Sequence, residues 1–164
     1  MSIFMSGSEL ARIAIGIEEN GVVFYESLAE LTRDKKAQGT YNYLANRERE
    51  HIEIFQNLLK RIEDYRSPET YTEEYELYLR ALVDSNVFTD DQIAREMAKK
   101  VTSEAEAVQI GIGAEKDSIL FYSELKGLVR RADREIIDKV IEEEKSHMRH
   151  LVGLKKNSTI KYRE

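Results

Sequence analysis

The sequence predicts an all-α protein: a four-helix bundle built from two repeated antiparallel helical hairpins, with a helical crossover between them. Three observations carry this. Long segments place apolar residues three and four apart, the stripe of a helix packed on one face. Only one proline and eight glycines occur in 164 residues, so little interrupts those segments. And the first hairpin recurs in the second, because IGIEENGVVFY at 15–25 aligns without gaps on IGAEKDSILFY at 112–122.

The first helix is expected over about 8–31, with Leu10, Ala14, Ile17, Gly21, Phe24, Leu28 and Leu31 on its stripe. The second, about 34–65, begins at Asp34 as N-cap and carries Tyr41, Leu44, Ala45, Ile52, Phe55, Leu59 and Ile62 before Ser67-Pro68 stops it. The third, about 103–127, opens on Ser103-Glu104-Ala105-Glu106, a capping-box pattern. The fourth, about 133–154, follows Asp133 as N-cap and runs through Ile136, Val140 and Ile141 to Leu151 and Leu154. Tight connections make each pair an antiparallel hairpin. The crossover, about 66–102, holds two short helical patterns, TEEYELYLRALV and TDDQIAREMAKKV, the latter with Thr89 and Gln92 at capping-box positions. A bare loop of that length would be unusual in a compact domain. The basic tail KKNSTIKYRE reads as frayed. Residues 1–164 are expected to form one domain, a length that suits a single core.

Composition narrows the function. Charged residues make up 34% and the net charge is −6, which argues against a phosphate-binding surface and therefore against nucleic acid. No apolar run approaches the ~18 residues of a membrane span. The start MSIFMSGSEL lacks the basic and apolar regions of a secretory signal, so cytoplasm is the expected location. With no cysteine, thiolate nucleophiles and thiolate-held zinc or iron–sulfur sites are excluded.

Two of the three histidines stand three places after a glutamate, in EREH at 48–51 and EKSH at 144–147. The repeat pairs Glu18 with Glu115 and Phe24-Tyr25 with Phe121-Tyr122 at a shift of 97, and the two E-x-x-H tetrads at a shift of 96. A duplicated hairpin makes a bundle with approximate two-fold symmetry, in which equivalent residues face one another. Glu48 and His51 project from one helix face, as do Glu144 and His147, and Leu44, Ile52, Phe55, Val140, Ile141 and Leu151 flank them. Alone, one E-x-x-H on a charged helix is ordinarily a solvated pair. Four carboxylates bordering a core are different, because they must be protonated, paired or bound to cations. The inward faces of the first and third bundle helices offer no nearby Lys or Arg, which favours cations.

Four carboxylates and two imidazoles, one Glu from each of two helices and one E-x-x-H pair from each of the others, are a ligand set for two metal ions in a helical bundle. Oxygen-rich sites with one His per metal suit iron or manganese. Glu48 and Glu144 are assigned as bridges, Glu18 and Glu115 as terminal ligands. Tyr25 and Tyr122 lie seven residues after Glu18 and Glu115, on the same faces. Two readings stand for them: core packing with the hydroxyl at the rim, or hydrogen-bond donation to a ligand carboxylate. His150 has no repeat partner and is expected at the surface.

EENGVVFYESLAE with EREHIEIFQNLL, then AEKDSILFYSEL with EEEKSHMRHL, resembles the duplicated signature of the rubrerythrin branch of the ferritin-like superfamily, over about residues 8–154. The resemblance implies a ferritin-like bundle with a di-iron centre at Glu18, Glu48, His51, Glu115, Glu144 and His147. It also implies reactions with hydrogen peroxide, dioxygen or ferrous iron. Two departures matter. Full-length relatives carry a rubredoxin-like Cys₄ iron domain, and this chain has no cysteine, so an external electron donor such as a rubredoxin-like protein is expected. Rubrerythrins proper add a glutamate three residues beyond the first on the third bundle helix, where this chain has Ser118 beside Asp117. That departure bears on peroxidase activity.

The reading that follows is a dinuclear iron redox protein, of peroxidase or oxidase type. A ferroxidase or iron-handling protein is the first alternative, and a non-catalytic metal-binding bundle the second. Two iron ions are the expected cofactor, with manganese or a mixed pair as variants. A homodimer burying part of the crossover is the expected assembly.

Overall fold

The computed structural model describes residues 5–66 and 72–157. Among these residues every regular element is helical: α1 Gly7–Leu31, α2 Lys35–Ile62, α3 Glu73–Asp84, α4 Asp91–Lys100, α5 Glu104–Leu128, a 3₁₀ turn Arg131–Asp133, and α6 Arg134–Asn157. The expected stop at Ser67-Pro68 and the tail beyond Asn157 lie outside the described residues. None of the described helices is long and apolar enough to cross a membrane.

Local chemistry sets the helix starts. Ser6 and Glu9 form a reciprocal capping box at α1, with Ser6 Oγ accepting from the Glu9 amide at 3.2 Å and Glu9 Oε2 accepting from the Ser6 amide at 2.6 Å. Asp34 caps α2 by accepting from the Ala37 amide at 2.7 Å. Ser103 caps α5, but the box there is half made, because Glu106 takes the Thr102 amide instead of the Ser103 amide. At α4 the cap is Asp90, not Thr89; Asp90 directly precedes the first helical residue, and Oδ1 accepts from the Ile93 amide at 2.8 Å. Asp133 directly precedes the first residue of α6, the position expected of its N-cap. It is buried at the end of the 3₁₀ turn, and its Oδ1 lies 2.7 Å from an Arg61 guanidinium nitrogen. That ion pair ties the end of α2 to the start of α6.

The buried line of α2 is Tyr41, Leu44, Glu48, His51, Phe55, Leu58 and Ile62, a strict alternation of threes and fours. That is a packing seam between antiparallel helices. Ile52 and Leu59, expected on the stripe, border it and stay half-buried, as do Ile17 and Ile136. Leu31, at the end of α1, is 54% exposed, whereas Leu28 and Ala29 in the same turn are buried in the core. The most extensive helix pairings are α1 with α2 and α5 with α6, the two hairpins.

The core is divided into two apolar layers. One contains Leu10, Ala14, Phe55, Leu58, Phe121, Tyr122, Leu125, Ile137 and Val140. The other contains Phe24, Tyr25, Tyr41, Leu44, Ala107, Val108, Leu151 and Leu154. On every bundle helix the glutamates and histidines singled out above fall between the stretches that feed these layers. Two antiparallel hairpins must run through the layers in opposite orders, so the polar level is held in the middle of the bundle, away from both ends.

The crossover closes the flanks. Leu79 of α3 joins the first layer, and Ala94 and Ala98 of α4 join the second. The link between α3 and α4 leans on the bundle through three contacts. The Val87 amide donates to Asp117 Oδ2 at 2.9 Å, Asn20 Nδ2 donates to the Phe88 carbonyl at 3.4 Å, and the Phe88 ring lies 4.6 Å from that of Phe24.

Candidate metal centre

The middle level holds Glu18 from α1, Glu48 and His51 from α2, Glu115 from α5, and Glu144 and His147 from α6, none more than 3% exposed. All six residues singled out in the sequence therefore meet. Their donor atoms form two groups, each within 4.8 Å: Glu18, Glu48, His51 and Glu144 in one, Glu48, Glu115, Glu144 and His147 in the other. Glu48 and Glu144 belong to both.

The shared carboxylates are split between the two groups atom by atom. His51 Nδ1 lies 3.1 Å from Glu48 Oε2 and 3.1 Å from Glu144 Oε1. His147 Nδ1 lies 3.5 Å from Glu48 Oε1 and 2.9 Å from Glu144 Oε2. One oxygen of each faces either histidine, the arrangement a bridging carboxylate requires. The other two glutamates each serve one side: Glu18 Oε1 is 3.6 Å from His51 Nδ1, and Glu115 Oε2 is 3.7 Å from His147 Nδ1. The imidazoles stack with centroids 5.5 Å apart.

Such a cluster is electrostatically unfinished. Burial, and then the charge of Glu48, push the Glu18 carboxyl up to about 7. Burial likewise drives Glu144 well above the usual carboxylate range, with Glu48, Glu18 and Glu115 adding to it. For both histidines burial works downward, but the surrounding carboxylates outweigh it and raise them. Both oxygens of Glu144 and both ring nitrogens of His147 make no hydrogen bond. The 2.9 Å approach of His147 Nδ1 to Glu144 Oε2 is thus close in distance without being aligned as one. Buried donors are normally satisfied. Here the donor set, its two-fold order and these bare atoms fit two divalent cations, which would supply the charge and the bonds together.

The tyrosines complete the level. Tyr25 donates its hydroxyl to Glu115 Oε1, and Tyr122 donates its hydroxyl to Glu18 Oε1. Each reaches the carboxylate of the other hairpin, so the donor reading describes their geometry and they still pack in the two apolar layers. Tyr25 approaches the α5 backbone at Gly111, where an added Cβ would stand 3.3 Å from the Tyr25 hydroxyl and 3.1 Å from Leu151. Gly111 leaves room for that crossing. His150, as expected, is exposed, with Nδ1 on the Ser146 carbonyl at 2.8 Å and its ring beside Tyr43.

Two participants were not evident from the sequence. Glu143 Oε2 accepts from His51 Nε2 at 3.0 Å, and an Arg47 guanidinium nitrogen holds the same Glu143 oxygen at 2.5 Å. Their signal was present: each immediately precedes the glutamate of an E-x-x-H tetrad, and the shift of 96 aligns them with each other.

A cleft of about 20 Å³, room for a water-sized molecule, reaches the level between α1 and α5. Glu18, Glu48, Glu115, Gly21, Ser118 and Val87 are on its wall. Ser118 is buried there, at the position where a longer acidic side chain would enter the same space.

The rubrerythrin family model matches residues 9–155. A crystal structure described as a ferritin-like diiron-carboxylate protein from Thermotoga maritima is similar over 94% of this chain and 97% of its own, with 33% identity and a TM-score of 0.70. No curated protein matches significantly.

Proposed function

Because the chain belongs to the rubrerythrin family, we propose that it holds two iron ions and acts as a redox protein toward hydrogen peroxide or dioxygen. The observation that carries this reading is the split of Glu48 and Glu144 between two four-residue groups. A set of two shared and two unshared carboxylates, with one histidine on each side, suits a pair of ions close enough to act on one small molecule. Two ferrous ions held there would supply the two electrons that, with two protons, turn peroxide into two waters.

The remaining work falls to the chain. Glu18, Glu48, Glu115, Glu144, His51 and His147 would be the ligands. Tyr25 and Tyr122 keep Glu115 and Glu18 from rotating, each through a buried hydroxyl proton held at the carboxylate. The apolar layers on either side exclude bulk water, so the electrostatics of the level stay strong. The cleft beside Gly21 and Ser118 offers a path for a molecule of a few atoms, and for little more. Since the chain has no cysteine, electrons for repeated turnover would come from a separate protein or from ferrous iron.

The test is rapid mixing of the ferrous-loaded protein, prepared without air, with peroxide or with air-saturated buffer, following the near-ultraviolet absorption of oxidised iron. Oxidation faster with peroxide supports a peroxidase-type role, and oxidation faster with air an oxidase or iron-oxidising one. Inertness to both over minutes sinks the redox reading.

A further inference from the structure

The two halves of the metal level are not equivalent, and the difference lies one residue outside the ligand set. The outer nitrogen of His51, Nε2, meets Glu143 at 3.0 Å, and Arg47 holds that carboxylate in place. The outer nitrogen of His147 is buried and has no hydrogen-bond partner. The repeat explains why. Its shift of 96 aligns Glu143 with Arg47, so at the position where one half has the carboxylate that meets His51 the other half has an arginine, whose guanidinium is engaged by Glu143 and Glu50. A guanidinium has no acceptor and cannot receive an imidazole N–H.

A carboxylate on the outer nitrogen fixes the proton at Nε2. That leaves the Nδ1 lone pair directed at the carboxylate cluster, and the hydrogen bond makes the ring a stronger donor. His51 has this support and His147 lacks it. Glu143 is 35% exposed at its side chain, yet the bond it makes is to a fully buried ring, where solvent screens little.

We propose that Glu143, positioned by Arg47, makes the Glu18–His51 side the tighter of the two metal positions, so that ions load in order, first beside His51 and then beside His147. This rests on the dinuclear reading above and adds an asymmetry to it. Glu143 is a positioning residue and acts through His51 alone. A dinuclear centre loaded in order passes through a defined state with one ion, which an evenly built pair would not populate strongly.

Zinc, which is redox-inert, serves as the probe. Calorimetric titration of the metal-free protein with zinc should show two steps, the first at least about tenfold tighter than the second. In Glu143→Gln the first step should weaken by about 10–100-fold while the second stays where it was. A merely structural role for Glu143 would weaken both steps alike, and that result overturns the proposal. The wild-type protein gives an independent reading, because its three histidines are easily resolved by NMR. With one equivalent of zinc, the ring signals of His51 should shift and those of His147 should not. Simultaneous shifts, or His147 first, overturn the ordering even if the variant fails to fold. Binding of one zinc or none would remove the dinuclear reading itself, an outcome separate from two equal steps.

Discussion

Tyr122, on α5, donates its hydroxyl to Glu18 on α1, and Tyr25 repeats the bond in the opposite sense to Glu115. The two hairpins are therefore laced through the same carboxylates that would hold metal. Removing one hydroxyl leaves a buried carboxylate short of a donor, which costs about 1–3 kcal/mol. Tyr122→Phe should lower the thermal midpoint of the metal-free protein, and should also weaken zinc binding by about tenfold or more. Tyr25→Phe should match it in both respects. Melting curves and calorimetry on the two variants check this, and an unchanged zinc affinity would leave the tyrosines with a packing role only.

Shared and unshared carboxylates should respond differently to loss. Glu48 faces both histidines and Glu115 only His147. Glu48→Gln should weaken both zinc steps, each by on the order of tenfold or more, whereas Glu115→Gln should weaken one. If the two substitutions give the same titration, the assignment of Glu48 as a bridge is wrong.

Metal should hold the fold together. Four buried carboxylates share only two imidazoles as counter-charges in this level, so cations bind the folded chain far better than the unfolded one. At free metal about 1,000 times Kd, each ion adds about 4 kcal/mol. For a chain of this size that is a rise of about 8–16 °C in midpoint per ion. Scanning calorimetry before and after chelation measures it directly.

Metal uptake should strengthen as pH rises through 7. Burial and the charge of Glu48 lift the Glu18 carboxyl to about 7, so below that value the metal-free site carries a proton there. The raised imidazoles carry protons as well. An ion must displace these protons, so affinity falls as pH drops below about 7 and binding releases protons above and below it. Without metal the sign reverses for Glu18. Its raised value favours the folded state at low pH, an advantage present below the ordinary glutamate range and lost as pH rises through about 7. Zinc titrations at pH 6 and 8, in buffers of different ionisation enthalpy, would show both the loss of affinity and the proton count.

The helices, the repeated hairpin and the six metal-level residues could be read directly from the chain. Helical periodicity, caps such as Asp34 and Ser103, and the two E-x-x-H tetrads are relations among residues three or four apart, and such relations are written locally. The difference at α4 is local too. Asp90 caps that helix in place of Thr89 because it directly precedes the first helical residue and reaches the Ile93 amide.

What only the tertiary structure decided are contacts between residues far apart in sequence. Tyr122 and Glu18 are separated by 104 residues, and His51 and Glu143 by 92. Whether each tyrosine serves its own helix or the opposite one, and which histidine receives a carboxylate on its outer nitrogen, depends on how the two hairpins rotate and slide against each other. Packing of the apolar layers on both sides of the metal level fixes that rotation. The chain thus specified which side chains enter the core, and the docking of its two halves specified which atoms meet.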